Sequence, residues 1–102
     1  MTTSPLMTVS GTITIRERIS IPPGAVATVK IVDGQGEVLA ATAVEVTGVP
    51  ADWSVTIDQE TVPDASRLQV WAALRTEAGW WGTLDLQPVA QGTDIVLTRV
   101  PD

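Results

Sequence analysis

Four residue types are missing from this 102-residue chain: cysteine, histidine, phenylalanine and tyrosine. Without cysteine and histidine, the chain has no Ser-His-Asp triad, no cysteine nucleophile, no imidazole or thiolate metal site and no disulfide. Asp58, Glu60 and Asp64 lie close in sequence, but their spacing does not match an EF-hand loop, and a domain this small has little room for a cleft with two catalytic carboxylates. We therefore predict a protein that is not an enzyme and that holds no cofactor or metal ion. The length and a hydrophobic content of 44% suit one domain with one core.

Positive charge is also scarce in this chain. Six Lys and Arg residues stand against 12 Asp and Glu residues, and the net charge is −6. A protein that binds the phosphate backbone of nucleic acid needs a basic face, because its affinity comes from neutralised phosphates. The composition therefore predicts no nucleic-acid partner.

Long apolar segments are absent as well. No apolar run approaches the ~18–20 residues of a membrane-spanning helix, and the first residues lack the charged and apolar regions of a signal peptide. Taken as full length, the chain is predicted to be cytoplasmic and not inserted in a membrane. If an N-terminal lipoprotein signal was removed, the prediction changes to the cell envelope. Residues 1–7 are predicted to form a flexible tail and residues 8–102 the folded domain.

What the chain does have is an alternation of apolar and polar residues with a period of two, which is typical of half-buried strands. Segment 37–46 also has helical propensity, but its β-branched end and the preceding Asp33–Gly36 turn favour a strand. Seven short strands and almost no helix predict an antiparallel β-sandwich of immunoglobulin or transthyretin size. The predicted strands are 8–15, 25–32, 37–46, 53–58, 67–75, 79–86 and 95–100.

The turn between the fifth and sixth predicted strands decides which tryptophans face the core. We predict a three-residue loop, Glu77 to Gly79, with Gly79 in the left-handed conformation. This loop pairs Thr76 with Trp80 and turns Trp80 inward. Trp53 also shares the parity of aliphatic residues and is predicted to lie in the core.

The same register places Trp71 and Trp81 on the outer face of one hairpin, with Arg75 opposite Trp81. Two exposed indoles on a sheet form a platform for a sugar ring or for an apolar side chain of a partner, and Arg75 is placed for a cation–π contact with Trp81. The alternative is that a loop, a partner protomer or another sheet covers both indoles. We rank this alternative first, since large aromatic side chains are mostly buried.

A second candidate contact is the pair Arg16 and Arg18 at the end of the first strand. Alternation places both on one side, with Glu17 on the other. They are candidates to bind a carboxylate or another anionic group. A structural ion pair with surface acids is the favoured alternative, because such pairs are common and contribute little.

The segment from Val9 to Ala25, VSGTITIRERISIPPGA, resembles the opening signature of the YbaY/YscW family of small bacterial lipoproteins, some of which are type III secretion lipoprotein chaperones, or pilotins. Residues 66–74, 83–89 and 97–100 are also similar, so the resemblance spans about residues 8–100. It implies a small β-sandwich without known catalysis. Members similar to the pilotins assist the assembly or outer-membrane targeting of a secretin. The chain lacks the cysteine that carries the lipid in relatives.

Two functions from different classes follow. The first is a non-catalytic protein-interaction or chaperone-like module of the pilotin type, with a protein partner at the tryptophan face or at the sheet edges. The alternative is a carbohydrate-binding module that uses the same tryptophans. Open strand edges are also compatible with a homodimer.

Overall fold

A computed structural model describes residues 6–17, 20–58, 67–83, 86–89 and 93–100. Eight strands account for most of these residues, in place of the seven predicted. The strands are β1 (Leu6–Ile15), β2 (Val26–Val32), β3 (Val38–Glu45), β4 (Ala51–Asp58), β5 (Gln69–Thr76), β6 (Gly79–Gly82), β7 (Gln87–Pro88) and β8 (Thr93–Arg99). The all-β fold class predicted from the sequence is confirmed, and segment 37–46 is a strand over most of its length.

The strands form one continuous sheet, which corrects the prediction of a two-sheet sandwich. Their hydrogen-bonded order is β3-β2-β5-β6-β8-β1-β4, and β7 pairs with β5. β1 and β8 run parallel, whereas the other described pairs are antiparallel. The two ends of the order, β3 and β4, contact each other. The sheet is therefore rolled into a nearly closed, barrel-like shape. A single twisted sheet can bury its inner face against itself only if it curves in this way.

The core lies inside this rolled sheet and follows the predicted alternation on most strands. On β5, Val70, Ala72 and Leu74 are fully buried, as expected from their parity. Trp53 on β4 is also buried, which confirms its predicted place in the core. The other strands contribute aliphatic residues of matching parity, so the apolar interior is filled from all sides of the roll: Val9, Ile13, Ile15, Ala27, Val29, Ile31, Val55, Ile57, Ile95 and Leu97.

The β2–β3 hairpin shows how a short polar segment determines a turn. The Asp33 carboxylate accepts hydrogen bonds from the backbone N–H groups of Gln35 (2.8 Å) and Glu37 (2.9 Å). Gly36 has a φ of 85°, a conformation that glycine adopts without steric cost. The side chain of Asp33 thereby replaces part of the backbone pairing, as is usual for aspartate in turns.

The β5–β6 hairpin differs from the prediction by one residue. Glu77 and Ala78 alone form the turn, and Thr76 pairs with Gly79 instead of Trp80. The Thr76 hydroxyl accepts a hydrogen bond from the N–H of Ala78 (3.0 Å) and donates one to the carbonyl of Gly79 (2.9 Å). A shift of one residue moves every side chain of a strand to the opposite face. β6 is therefore inverted relative to the prediction.

The inverted strand reverses the roles of the two adjacent tryptophans. Trp81 is fully buried, and Trp80 is 41% exposed. The predicted strand 79–86 would have placed Leu86 on the same inward face as Trp80, but β6 ends at Gly82 and Leu86 is exposed. Leu86 therefore does not belong to the same alternating strand.

Two predictions at the ends of elements also need correction. β1 begins at Leu6, so Leu6 and Met7 belong to the sheet and not to a tail of residues 1–7, of which residues 1–5 lie outside the described residues. Both faces of the predicted strand 95–100 carry apolar residues, which favours a strand covered on both sides, but Val96 of β8 is exposed. The sequence also predicts a loop over residues 61–66, which lie outside the described residues.

Candidate interaction face

Adjacent residues on β2, β5 and β6 form a shallow depression on the outside of the sheet. Cross-strand pairing places Lys30 beside Trp71 in one row and Val26, Arg75 and Trp80 in another. Between these rows, small side chains form the floor of the depression, which has a volume of ≈ 520 Å³. We call this surface the Trp71–Trp80 face, and its lining residues are Val26, Thr28, Lys30, Trp71, Ala73, Arg75 and Trp80.

Lys30 covers one ring at the first end of the face. Its Nζ lies 5.0 Å from the centroid of the Trp71 ring, within range of a cation–π interaction. Both side chains are half-buried. The lysine occupies one side of the indole while its ammonium group stays close to the depression.

Trp80 and Arg75 form the other end. The Trp80 ring leans along its own strand, and its Cζ3 atom lies 3.9 Å from the position that a Cβ on Gly82 would take. The Arg75 side chain is exposed, and its guanidinium group has no hydrogen-bond or ion-pair partner among the described residues. This end of the face therefore presents an open apolar ring beside a guanidinium group that is available to a ligand.

Trp81 is buried in the core, which corrects the predicted register that placed it on the outer face and agrees with the higher rank given to a covered indole. Its indole Nε1 donates a hydrogen bond to Glu17 Oε2 at 3.1 Å. The cation over its ring is Arg99, at 5.3 Å from the centroid, and not Arg75 as predicted. Arg99 Nη2 also donates a hydrogen bond to the carbonyl of Ala78 at 3.0 Å. These contacts connect the end of β1, the β5–β6 turn and β8.

This network predicts a measurable contribution of Glu17 to stability. We expect Glu17→Ala to lower the free energy of unfolding by about 1 kcal/mol, because the Trp81 N–H loses its acceptor. Glu17→Gln keeps a carbonyl oxygen for the bond and is expected to retain most of the stability. Urea denaturation of both variants measures the difference. Equal stability of Glu17→Ala and the unchanged protein would contradict a structural role for this contact.

The remaining predicted site residues do not join the face. Arg16 is exposed at the end of β1 and does not line the depression. Arg18 lies outside the described residues. The alternation of apolar and polar residues correctly predicts Trp71 and Arg75 on the outer side of β5. It did not identify Trp80 or Lys30 as part of an interaction site. The alternation on β2 already places Lys30 on the outer face. A two-residue turn between β5 and β6, instead of the predicted three-residue loop, would have placed Trp80 on that face as well.

A second depression, of ≈ 610 Å³, lies near the meeting of β3 and β4. Its lining includes Asp52, Asp94 and Trp53. The Asp94 carboxylate accepts a hydrogen bond from Thr12 Oγ1 (2.6 Å), and the buried Nε1 of Trp53 has no hydrogen-bond partner within the described ranges of the chain. No group of three or more acidic side chains able to hold a metal ion occurs among the described residues. Its lining has no exposed aromatic ring comparable to Trp80, since Trp53 is buried.

The fold of this chain also occurs in a protein of known structure. One solved structure, an alternative pilotin from the type II secretion system of Vibrio cholerae, has a TM-score of 0.85 at 21% sequence identity. The match covers 96% of this chain and 100% of the pilotin. No match is found among curated proteins. The described part of the chain contains no helix with the length and apolar character needed to cross a membrane.

The family comparison agrees with the resemblance seen in the sequence. The model of the YscW family, the type III secretion system lipoprotein chaperones, matches residues 4–98. Neither this description nor that of the structural neighbour names an enzymatic activity. The match extends over nearly the whole chain, from the segment before β1 to β8. The chain therefore belongs to the YscW family of type III secretion system lipoprotein chaperones.

Proposed function

We propose that this chaperone-like protein acts by seating a segment of a secretin on the Trp71–Trp80 face. The proposal rests on the exposed Trp80 ring at the end of an apolar depression, beside the Arg75 guanidinium, which has no side-chain partner in the part of the chain that the structure describes. Exposed aromatic rings next to arginine are typical of the residues that dominate protein interfaces. The family description supports a protein partner and an action at the cell envelope, where lipoproteins of this kind work.

The geometry favours a peptide over a sugar as the ligand of this face. A sugar ring stacks on the open side of an indole, but Lys30 already occupies one side of Trp71. The small residues Thr28 and Ala73 leave room between the two ends for an apolar side chain. Neither the family nor the structural neighbour points to carbohydrate binding.

Titration of the protein with short overlapping peptides from a secretin tests this function. We expect at least one peptide to shift the tryptophan emission to shorter wavelength in a saturable way, because Trp80 leaves water on binding. A broad panel of glycans is expected to leave the emission unchanged. A response to a glycan with no response to any peptide would overturn the proposal in favour of carbohydrate binding.

We also propose self-association through the β3 edge. β3 lies against β4, but among the described strands it is hydrogen-bonded only to β2, and along its length Glu45 is the one charged residue. Edges with little charge are prone to pair with another chain. Light scattering at increasing protein concentration is expected to show a dimer. A monomer at every concentration would exclude self-association without affecting the proposal for the Trp71–Trp80 face.

A further inference from the structure

Positive charge is concentrated on the Trp71–Trp80 face relative to the rest of the molecule. The chain has only six Lys and Arg residues against 12 acids, yet Lys30 and Arg75 both line this one depression. No acidic residue lines it. Glu45 lies in the same cross-strand row as Arg75, beyond Val26, and makes no ion pair with it. A strongly acidic protein thus presents a locally basic, aromatic surface.

The two cations lie at opposite ends of the depression. Lys30 pairs with Trp71, and Arg75 lies four residues further along β5. At about 3.3 Å per residue, the two rows are roughly 13 Å apart. The space between them is apolar or small, with Thr28 and Ala73 at its centre. A ligand that reaches both cations must therefore cross an apolar floor.

We propose that the segment bound here is an extended acidic peptide with an apolar side chain midway between two carboxylates. An extended peptide places residues i and i+4 roughly 13 Å apart, which matches the separation of Lys30 and Arg75. Its central side chain points to the floor between Trp71 and Trp80, and its carboxylates accept charge-assisted hydrogen bonds from the two cations. This inference rests on the proposed function and specifies the chemistry of the partner at the same site.

Three synthetic peptides test the inference directly. Each peptide has a central leucine and two identical charged or polar residues, one two positions before it and one two positions after it. These flanking residues are glutamates in the first peptide, glutamines in the second and lysines in the third. Dissociation constants are measured by calorimetry at low salt. We expect the glutamate peptide to bind about fivefold more tightly than the glutamine peptide, since each exposed ion pair contributes modestly. The lysine peptide is expected to bind most weakly, and added salt should reduce these differences.

Charge reversal on the protein locates the effect. The double variant Lys30→Glu plus Arg75→Glu is expected to reverse the preference, so that the lysine peptide binds about fivefold more tightly than the glutamate peptide. Arg16→Glu is the matched control for Arg75→Glu, because both change the same charge at an exposed site and Arg16 does not line the depression. This control is expected to keep the preference for glutamate. Urea unfolding verifies that each variant is folded.

The possible results distinguish the proposed preference for an acidic peptide from the proposed docking face itself. Equal affinity for the glutamate and glutamine peptides would overturn the acidic preference and leave the docking face intact. A preference for the glutamate peptide that persists in the double variant would show that residues other than Lys30 and Arg75 bind the carboxylates. It would also overturn the inference. No binding of any of the three peptides, together with no response to the secretin peptides, would overturn the docking face itself.

Discussion

Replacing Trp81 with alanine is expected to lower the free energy of unfolding by about 3–5 kcal/mol, the range measured when a large buried aromatic side chain is removed. Trp81 is fully buried, its Nε1 donates a hydrogen bond to Glu17, and the Arg99 guanidinium lies over its ring. The substitution removes the core contacts and leaves both partners without the indole. Urea denaturation monitored by circular dichroism gives the difference.

The adjacent Trp80 is the matched control for this experiment. It has the same side chain, the same strand and the next position in sequence, but it is 41% exposed. We expect Trp80→Ala to change stability by no more than about 1 kcal/mol, because little buried contact is lost. A larger loss for Trp80→Ala than for Trp81→Ala would contradict the observed register of β6 and favour the three-residue loop predicted from the sequence.

The second large effect concerns binding. The double variant Trp71→Ala plus Trp80→Ala is expected to weaken the affinity for the partner peptide at least about 30-fold, because alanine substitution of aromatic anchors typically costs 2 kcal/mol or more. The protein should remain folded, since neither ring belongs to the buried core. Affinity is measured by calorimetry, because the substitutions remove the fluorescent reporters.

Val96→Ala is the control for the loss of exposed apolar surface. Val96 is 41% exposed, as Trp80 is, but it lies on β8 and does not line the depression. We expect this variant to bind the peptide with unchanged affinity. If the double tryptophan variant binds as tightly as the unchanged protein, the partner does not use this face.

The sequence predicted the strands well where alternation was long and regular. β2 and β5 have unbroken apolar parity, so their inward and outward residues were assigned correctly, including Trp71 and Arg75 on the outer side of β5. Asp33 and Gly36 marked the β2–β3 turn in the same way, since both have a specific turn chemistry. Local rules were sufficient wherever a single periodicity or a single turn motif determined the structure.

The candidate site depended on a feature that local rules do not determine. Trp80 and Trp81 are consecutive, so either one can face the core, and the choice depends on the length of the preceding turn. The Thr76 hydroxyl bonds to both Ala78 and Gly79 and favours the shorter turn, a contact that a pattern of apolar residues does not reveal. Closure of the sheet was missed for a related reason, because the pairing of β8 with both β6 and β1 joins strands that are distant in sequence.

The indole N–H resonances of the four tryptophans show directly whether the partner segment docks on the Trp71–Trp80 face. Each resonance in a nitrogen-15 correlation spectrum is assigned by a single substitution to phenylalanine, and a secretin peptide that binds is then added stepwise. We predict that the Trp71 and Trp80 signals shift in a saturable way, while those of the buried Trp53 and Trp81 stay in place. A bound peptide that shifts only the Trp53 or Trp81 signal, or none of the four, would show that the peptide does not dock on the Trp71–Trp80 face.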